Sequence, residues 1–247
     1  MIKWIYIVTV LFASQLIFAN QEEYEKANEL YENEAYDSAV VIYNSLLEEN
    51  QYSFEIFYNL GNSYFRTNKL GLAILNWEKA RKIQPSNPQV IENLNYAYSL
   101  ARDKFEVDVK SVGFINGFVF EKSPNFWSYM AILLSVILAV TLFLFFISRN
   151  DTIHQISFYL SIVGFVCLIT IVIFAYMHKN HFEQSKEAIV LQPRVQVLSE
   201  PKEGSDESFA LHEGTKVEIL KIDEDWAEIV VNKDNTGWVK LESIGRI

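Results

Sequence analysis

Cysteine is almost absent from this chain of 247 residues, which contains only Cys167. A single cysteine excludes an internal disulfide framework and a cysteine-based zinc site. Basic residues are also scarce, since 21 Lys and Arg stand against 31 Asp and Glu and give a net charge of -10. Nucleic-acid binding requires a basic surface that neutralises phosphates, so this charge argues against nucleic acid as a partner.

The short motifs that carry catalysis are missing as well. The sequence contains no phosphate-binding loop, no serine nucleophile elbow and no zinc-protease motif. Its four histidines include one close pair, His178 and His181, and only Glu183 is placed as a further metal ligand beside them. We therefore expect no enzymatic activity, no bound metal and no cofactor.

The first of three apolar runs lies at the N-terminus, from Trp4 to Phe18. It follows Lys3 and ends at the small residue Ala19, a pattern typical of a secretory signal peptide. The sequence therefore predicts a signal peptide over residues 1–19 that is cleaved after Ala19. The alternative is an uncleaved anchor helix, for which the run is short.

Two further apolar runs cover residues 126–147 and 156–177 and contain no charged residue. Each is long enough to cross a bilayer, and the eight residues 148–155 between them only allow the chain to turn straight back. The sequence thus predicts a hairpin of two transmembrane helices. The absence of ionisable residues inside the runs argues against a proton path, an ion pore or a transporter, so we expect an anchor.

The orientation of this hairpin follows from the predicted export signal. If residue 20 onward is exported, both flanking regions lie on the periplasmic side of the inner membrane and the loop with Arg149 lies in the cytoplasm. Trp127, Tyr129 and Tyr176 are expected to be aromatic anchors at the membrane interface. Small residues recur along both spans and predict that these faces pack on each other or on another membrane subunit; they are Ala131, Ser135, Ala139, Ser157, Ser161 and Gly164.

A 34-residue period runs through the region before the hairpin. The positions that define it in residues 54–87 are Phe57, Leu60, Gly61, Tyr64, Ala73, Trp77, Ala80 and Pro85, and one period earlier the same small and large positions hold Ala27, Leu30, Ala39, Tyr43 and Leu46. These spacings resemble the tetratricopeptide (TPR) repeat. The resemblance predicts two helical pairs and a closing helix over residues 20–104, followed by a juxtamembrane linker over residues 105–125.

TPR arrays bind peptides or partner segments on a concave face formed by the first helix of each pair. The resemblance places a partner-binding groove at Tyr24, Asn28, Tyr31, Tyr58, Asn59, Asn62, Phe65, Asn93 and Tyr96, with Glu92 beside them. Two asparagine pairs, Asn28/Asn62 and Asn59/Asn93, are each separated by one period, so we expect their amides to form ladders that suit an extended peptide backbone. The alternative is that these amides bridge the helices internally.

The region after a short linker, residues 178–186, shows period-two alternation broken by turns. Over residues 187–247 this pattern predicts a small antiparallel barrel, and the Gly237-Trp238-Val239 step resembles the bacterial SH3-like (SH3b) domain. Phe209, Trp226 and Trp238 are interpreted either as lining a peptide groove or as core residues, with the core favoured for Trp238.

The predicted fold class is thus a multi-domain membrane protein with an all-α TPR repeat, a two-helix transmembrane hairpin and a small all-β SH3-like barrel. This domain order resembles the BatE-like family of the Bacteroidetes aerotolerance (Bat) operon. The resemblance implies a component that acts beside other Bat proteins and a MoxR-type ATPase in tolerance of oxygen or envelope stress. The partners expected are membrane or periplasmic proteins and membrane lipid.

From the residues alone, the sequence predicts a non-enzymatic scaffold or adaptor with two exported binding modules. Two other functions stay open. In one, the SH3b barrel holds peptidoglycan and the repeat reports the state of the wall. In the other, the repeat groove holds unfolded segments and the protein is an accessory of export or of a chaperone.

Overall fold

The computed structural model describes residues 21–103, 119, 122, 124–183, 186–232 and 235–247. The predicted signal peptide and most of the predicted juxtamembrane linker lie outside these residues. The chain divides into two compact units. Among the described residues, the first unit contains 21–81, 87–103 and 186–247, and the second contains 82–86 and 119–183. The first unit therefore combines parts of the chain that lie before and after the apolar runs.

The N-terminal part of the first unit is entirely helical. Its five helices are α1 (residues 21–32), α2 (Tyr36–Glu48), α3 (Phe54–Arg66), α4 (Leu70–Ile83) and α5 (Pro88–Leu100). Short turns join them, so consecutive helices pack as neighbours.

Local signals in the sequence explain where these helices begin and end. The side chain of Ser53 accepts a hydrogen bond from the backbone N–H of Ile56 at 3.2 Å, and Asn87 caps α5 in the same manner ahead of Pro88. The turns after α1 and α3 repeat as well, because the equivalent residues Glu34 and Asn68 have φ angles of 61° and 59°.

Small and aromatic residues of the 34-residue period form the helical core. Ala27, Ala39 and Ala73 are completely buried, and Tyr43 and Trp77 are buried beside them. Small side chains at these positions let neighbouring helices approach closely, which is the packing that the period predicts.

The C-terminal part of the first unit is a seven-stranded antiparallel sheet. The strands are β1 (Glu187–Val190), β2 (Arg194–Leu198), β3 (Glu207–His212), β4 (Lys216–Asp223), β5 (Trp226–Asn232), β6 (Asn235–Lys240) and β7 (Ile244–Arg246). Their order in the sheet is β3-β2-β6-β5-β4-β1-β7. Alternate residues point to one face and form the core, which includes Val190, Val197, Leu211, Ile229 and Val239.

Strand β1 differs from its neighbours because it is buried on both faces. Ala188 and Val190 belong to the core of the sheet, whereas Ile189 between them is also fully buried but lies on the opposite face. Helix α4 covers that opposite face. The helical part and the sheet of the first unit therefore pack directly on each other.

The second unit contains helices α6 (Pro124–Ile147) and α7 (Asp151–Glu183). Both are long and apolar enough to cross a membrane, over Phe126–Ile147 and Asp151–Met177. The first of these ranges is the one predicted. The second begins before the expected position, so only residues 148–150 connect the helices, and α7 continues into the predicted linker 178–186.

The early start of α7 has a local cause at Asn150. The Asn150 Oδ1 atom accepts hydrogen bonds from the backbone N–H groups of Thr152 at 3.0 Å and Ile153 at 3.3 Å. An asparagine at this position satisfies backbone donors that would otherwise lack partners, and it starts the helix at the next residue. The loop of the sequence prediction is therefore shortened to residues 148–150.

The small residues of α7, but not all those of α6, lie between the two helices. Ser161 is 8% exposed and donates a hydrogen bond to the Thr141 Oγ1 atom across the hairpin at 3.1 Å. Gly164 packs near Leu138. Ser135 on α6 is exposed instead. The two predicted small-residue faces thus do not face each other along their whole length.

The aromatic residues at the open end of the hairpin take two different environments. Tyr129 and Tyr176 are 68% and 70% exposed, as interfacial anchors would be. Trp127 is 4% exposed, and its indole N–H donates to the backbone carbonyl of Val119 at 3.1 Å. Trp127 thus differs from the two tyrosines, because its ring packs against Phe174 inside the unit.

Candidate partner-binding site

The residues predicted for the groove lie on the first helix of each pair. We call this set the asparagine face; it consists of Tyr24, Asn28 and Tyr31 on α1, Tyr58, Asn59, Asn62 and Phe65 on α3, and Asn93 and Tyr96 on α5. All except Tyr96 are half-buried, and Tyr96 is 58% exposed. Hydrogen bonds and ring contacts join most of them into a network that has two separate, equivalent parts.

The first part of this network joins α1, α2 and α3 around Asn28. The Asn59 Nδ2 atom donates to Asn28 Oδ1 at 3.0 Å and to the hydroxyl oxygen of Tyr24 at 3.3 Å. The hydroxyl of Tyr43, on α2, donates to the same Asn28 Oδ1 atom at 2.6 Å. The carbonyl oxygen of Asn28 therefore serves as the common acceptor of two neighbouring helices.

The same network recurs one repeat later around Asn62. The Asn93 Nδ2 atom donates to Asn62 Oδ1 at 3.1 Å and to the hydroxyl oxygen of Tyr58 at 3.3 Å. The indole N–H of Trp77 donates to Asn62 Oδ1 at 3.0 Å, in the place of the Tyr43 hydroxyl. Every bonded group thus has its equivalent one period further along the chain.

The asparagines that bond to each other are not the pairs predicted from the sequence. The rungs are Asn28–Asn59 and Asn62–Asn93, and the predicted pairs Asn28/Asn62 and Asn59/Asn93 occupy equivalent positions in successive repeats. The amides therefore bridge the helices internally, as in the alternative interpretation, but each asparagine uses only one of its two polar amide atoms to do so.

The other half of each amide group reaches solvent. Within the described part of the chain, no hydrogen bond reaches Asn28 Nδ2, Asn62 Nδ2, Asn59 Oδ1 or Asn93 Oδ1, and no buried side-chain nitrogen or oxygen there lacks a partner. These four atoms must therefore be accessible to water. Each rung thus presents one donor and one acceptor whose orientation is fixed by the internal bonds of the same amides.

Aromatic rings extend the asparagine face toward α5. The ring of Phe65 lies 5.9 Å from that of Tyr96 and 5.5 Å from that of Trp77. Burial, followed by the neighbouring Tyr24, raises the pKa of the Tyr43 hydroxyl above its usual range, and burial also raises the pKa of Tyr31. These phenols are therefore neutral at physiological pH and act as hydrogen-bonding groups.

The three aromatic residues predicted as a groove on the sheet do not lie on one face. Phe209 is opposite Val197 in the ladder between β2 and β3 and packs against the core. Trp238 alternates with the buried Val239, so its half-buried side chain lies on the opposite face, where the Lys221 ammonium is 5.7 Å from its ring. The preference for Trp238 as a core residue is therefore wrong, whereas Phe209 is partly buried on the core face.

Trp226 shares the outer face of the sheet with Trp238. It lies directly opposite Lys240 in the ladder between β5 and β6, and Lys240 is the second residue after Trp238 along β6. Trp226 also lines an open depression of about 350 Å³, together with Arg194 and Glu242. The cations there are paired, since Arg194 lies 2.7 Å from Glu207 and Lys240 lies 2.6 Å from Glu203.

Sequence reasoning missed two members of the asparagine network, Tyr43 and Trp77. The repeat pattern predicts both only as large aromatic residues of the 34-residue period, which fill the holes between neighbouring helical pairs. Two features of the sequence could have predicted a hydrogen-bonding role. Tyr43 and Trp77 occupy equivalent positions in the period, and each carries a polar atom on its ring, for which a buried Tyr or Trp needs a partner.

No protein-family model matches the chain, and no curated protein matches it significantly in sequence. Among the described residues, no group of three His, Cys, Asp or Glu side chains is arranged to hold a metal ion.

Proposed function

We propose that this protein is a non-enzymatic, membrane-anchored scaffold or adaptor. In this proposal residues 21–103 are a TPR array that binds a partner on its concave groove, and residues 187–247 are an SH3-like domain. The carrying observation is the asparagine face, where four amide atoms are held toward solvent by hydrogen bonds to the other atoms of the same amides.

The proposed ligand of the asparagine face is an extended, uncharged stretch of polypeptide. A peptide backbone presents N–H donors and C=O acceptors in alternation, and the face offers the complementary groups at Asn28, Asn59, Asn62 and Asn93. Aromatic rings at Phe65 and Tyr96 add apolar contact area for the side chains of such a segment.

The hairpin supports the role of an anchor in the inner membrane. Two helices long and apolar enough to span a bilayer would hold the first unit at the membrane surface, on the periplasmic side if the N-terminal run is an export signal. The order of the segments also supports a place in the BatE-like family, with a role beside other Bat proteins in tolerance of oxygen or envelope stress.

The test uses substitutions that spare the internal bonds of the network. In Asn28→Asp and Asn62→Asp the accepting Oδ1 atom is kept, whereas the outward Nδ2 donor is replaced by an acceptor oxygen. The double variant should fold and should lose a small, defined set of membrane proteins in affinity purification from native membranes in mild detergent, followed by quantitative mass spectrometry.

Asn33→Asp is the matched control, since it makes the same chemical change at an exposed turn outside the face. It should retain every partner. Retention of all partners by the Asn28→Asp/Asn62→Asp variant, with wild-type circular dichroism, would contradict groove binding.

A second candidate function is peptidoglycan binding by the sheet. Trp226 beside an open depression, with Trp238 on the same face, favours it because partly exposed aromatic rings can stack on sugars. Trp226→Ala should then lose co-purified wall fragments in muropeptide analysis, and Tyr52→Ala, an exposed aromatic on the helical part, should keep them. Wall fragments bound equally by both variants would contradict this function.

A further inference from the structure

The first unit is built from two stretches of chain that the apolar helices separate in sequence. Residues 21–81 and 87–103 precede these helices and residues 186–247 follow them, yet all of them belong to one compact unit. The contact surface between them is called the junction here. It has a backbone layer, a buried ionic cluster and a terminal hydrogen-bonded carboxylate.

Close backbone packing forms the first layer of the junction. A methyl group added at Gly71, in the first turn of α4, would lie 2.7 Å from the carbonyl oxygen of Val190 in β1. Gly214, in the turn between β3 and β4, would meet the Ile74 side chain of α4 at 2.9 Å. Glycine is required at both positions because helix and sheet are in direct contact there.

A buried ionic cluster around Glu78 forms the second layer. Glu78 on α4 is 2% exposed and accepts hydrogen bonds from Arg81 and from the hydroxyl of Tyr98, both at 2.6 Å. From the sheet, the Lys216 ammonium lies 3.7 Å from Glu78 and 2.9 Å from Glu187. Burial alone would raise the pKa of Glu78, but the charges of Lys216 and Arg81 and the hydrogen bonds of Tyr98 and Arg81 outweigh it and lower the pKa.

Asp103, just after α5, closes the junction at its other end. Its carboxylate accepts hydrogen bonds from the backbone N–H of His212 at 2.7 Å and from the Thr215 hydroxyl at 2.9 Å, and its other oxygen lies 3.0 Å from the His212 Nδ1 atom. One side chain of the helical part thus holds the whole turn between β3 and β4. Carboxylate hydrogen bonds of this kind are stronger than those between neutral groups.

We infer that the helical part and the sheet close into one extramembrane body, so that the chain before α6 and the chain after α7 lie on the same side of the membrane. A body with a buried ionic cluster cannot be assembled from parts on opposite sides of a bilayer. This inference does not depend on what the asparagine face binds. It also sets the asparagine face and the outer face of the sheet at a fixed spacing.

The first test asks whether both parts lie on one side of the membrane. In a Cys167→Ser background, Asn33→Cys and Lys202→Cys place one thiol on an exposed turn of each part. A membrane-impermeant thiol reagent added to intact cells, and then to lysed cells, reports which side each thiol occupies. The two variants should give the same result, and labelling of one but not the other in intact cells would overturn the inference.

The second test asks whether the junction joins the two parts mechanically. Lys216→Met in the sheet leaves Glu78 without its cation from that side, and hydrogen exchange of the α4 amides in the full chain should become about tenfold faster. Lys221→Met, an exposed lysine paired with Asp223 in the same strand, is the matched control and should leave α4 unchanged. Equal α4 exchange in both variants would overturn the inference.

Discussion

Gly61 on α3 lies directly against the indole ring of Trp77 on α4: a methyl group added at Gly61 would be 2.6 Å from the Trp77 Cδ1 atom. Trp77 is 2% exposed and its indole N–H donates a hydrogen bond to Asn62, so packing and this bond both hold its ring in place. The packing of the helical pair and the asparagine network therefore depend on the same contact.

Gly61→Ala should destabilise the protein despite the better helix propensity of alanine. Overpacking costs about 1–3 kcal/mol, and removal of a helical glycine returns about 0.5–1 kcal/mol. We expect a net loss of about 1–2 kcal/mol in the free energy of unfolding, measured by denaturant titration in mild detergent. Ser38→Ala, at an exposed position of α2, is the control, and a stability of Gly61→Ala equal to that of the control would contradict this packing.

Gly214→Ala should cost more than Gly204→Ala, although both glycines have left-handed backbones with φ angles of 84° and 82°. The strain of alanine in this region is about 1–2 kcal/mol at either site. A Cβ atom at Gly204 has no neighbour within 4 Å, whereas one at Gly214 meets Ile74. The overpacking at Gly214 should therefore cost a further amount of about 1–3 kcal/mol. Thermal unfolding measures the difference, and equal melting temperatures would contradict the contact with α4.

Acid should weaken the junction through Asp103 and Glu78. Burial raises the pKa of Asp103, but the hydrogen bonds of His212 and Thr215 outweigh it, so the folded state holds this pKa below its usual value. The stabilisation is therefore fully present above pH of about 4, the range of unfolded carboxyls, and is lost as the pH falls through the lower folded value.

The measurement is the free energy of unfolding between pH 7 and pH 3, for the wild type and Asp103→Asn. The variant should be less stable at pH 7 and should lose less stability on acidification, because its amide does not titrate. Parallel curves for the two proteins would show that Asp103 does not contribute to the acid dependence.

The hairpin should tolerate a large side chain at Ser135 but not at Ser161. Ser161 is enclosed between the helices, where a leucine has no room, and it donates the hydrogen bond to Thr141. Ser161→Leu should weaken association of α6 and α7 by about 1–3 kcal/mol, as measured by steric trapping in micelles. Ser135→Leu, which adds the same side chain at an exposed position, should leave association unchanged; a similar loss in both variants would place the interface elsewhere.

Periodicity accounts for the parts of the fold that the sequence predicts well. The repeat period places Ala27, Ala39 and Ala73 in the core, and uninterrupted apolar runs place α6. The start of α7 was missed because hydropathy reports where a segment is apolar, whereas the helix begins at its capping residue, Asn150.

The side-chain faces of the sheet were harder to predict. Alternation predicts that Phe209 and Trp238 each point to the opposite face of the sheet from their neighbours in the strand. It does not predict which of the two faces is the core. That choice depends on register, which sets Phe209 opposite the buried Val197. The junction was not predicted. Glu78 and Lys216 lie on opposite sides of the apolar runs, and nothing in the sequence distinguishes either of them from the other charged residues.

The burial of β1 on both faces has a consequence for synthesis. Ile74 and Leu75 of α4 leave the ribosome long before Ile189, the strand residue on the face that α4 covers. At translation rates of about 5–20 residues per second, this apolar surface stays uncovered for on the order of ten seconds before the strand that packs on it is made. During that interval the two apolar helices are made, so the nascent chain must keep its half-finished surface from aggregating until the strands of the sheet arrive.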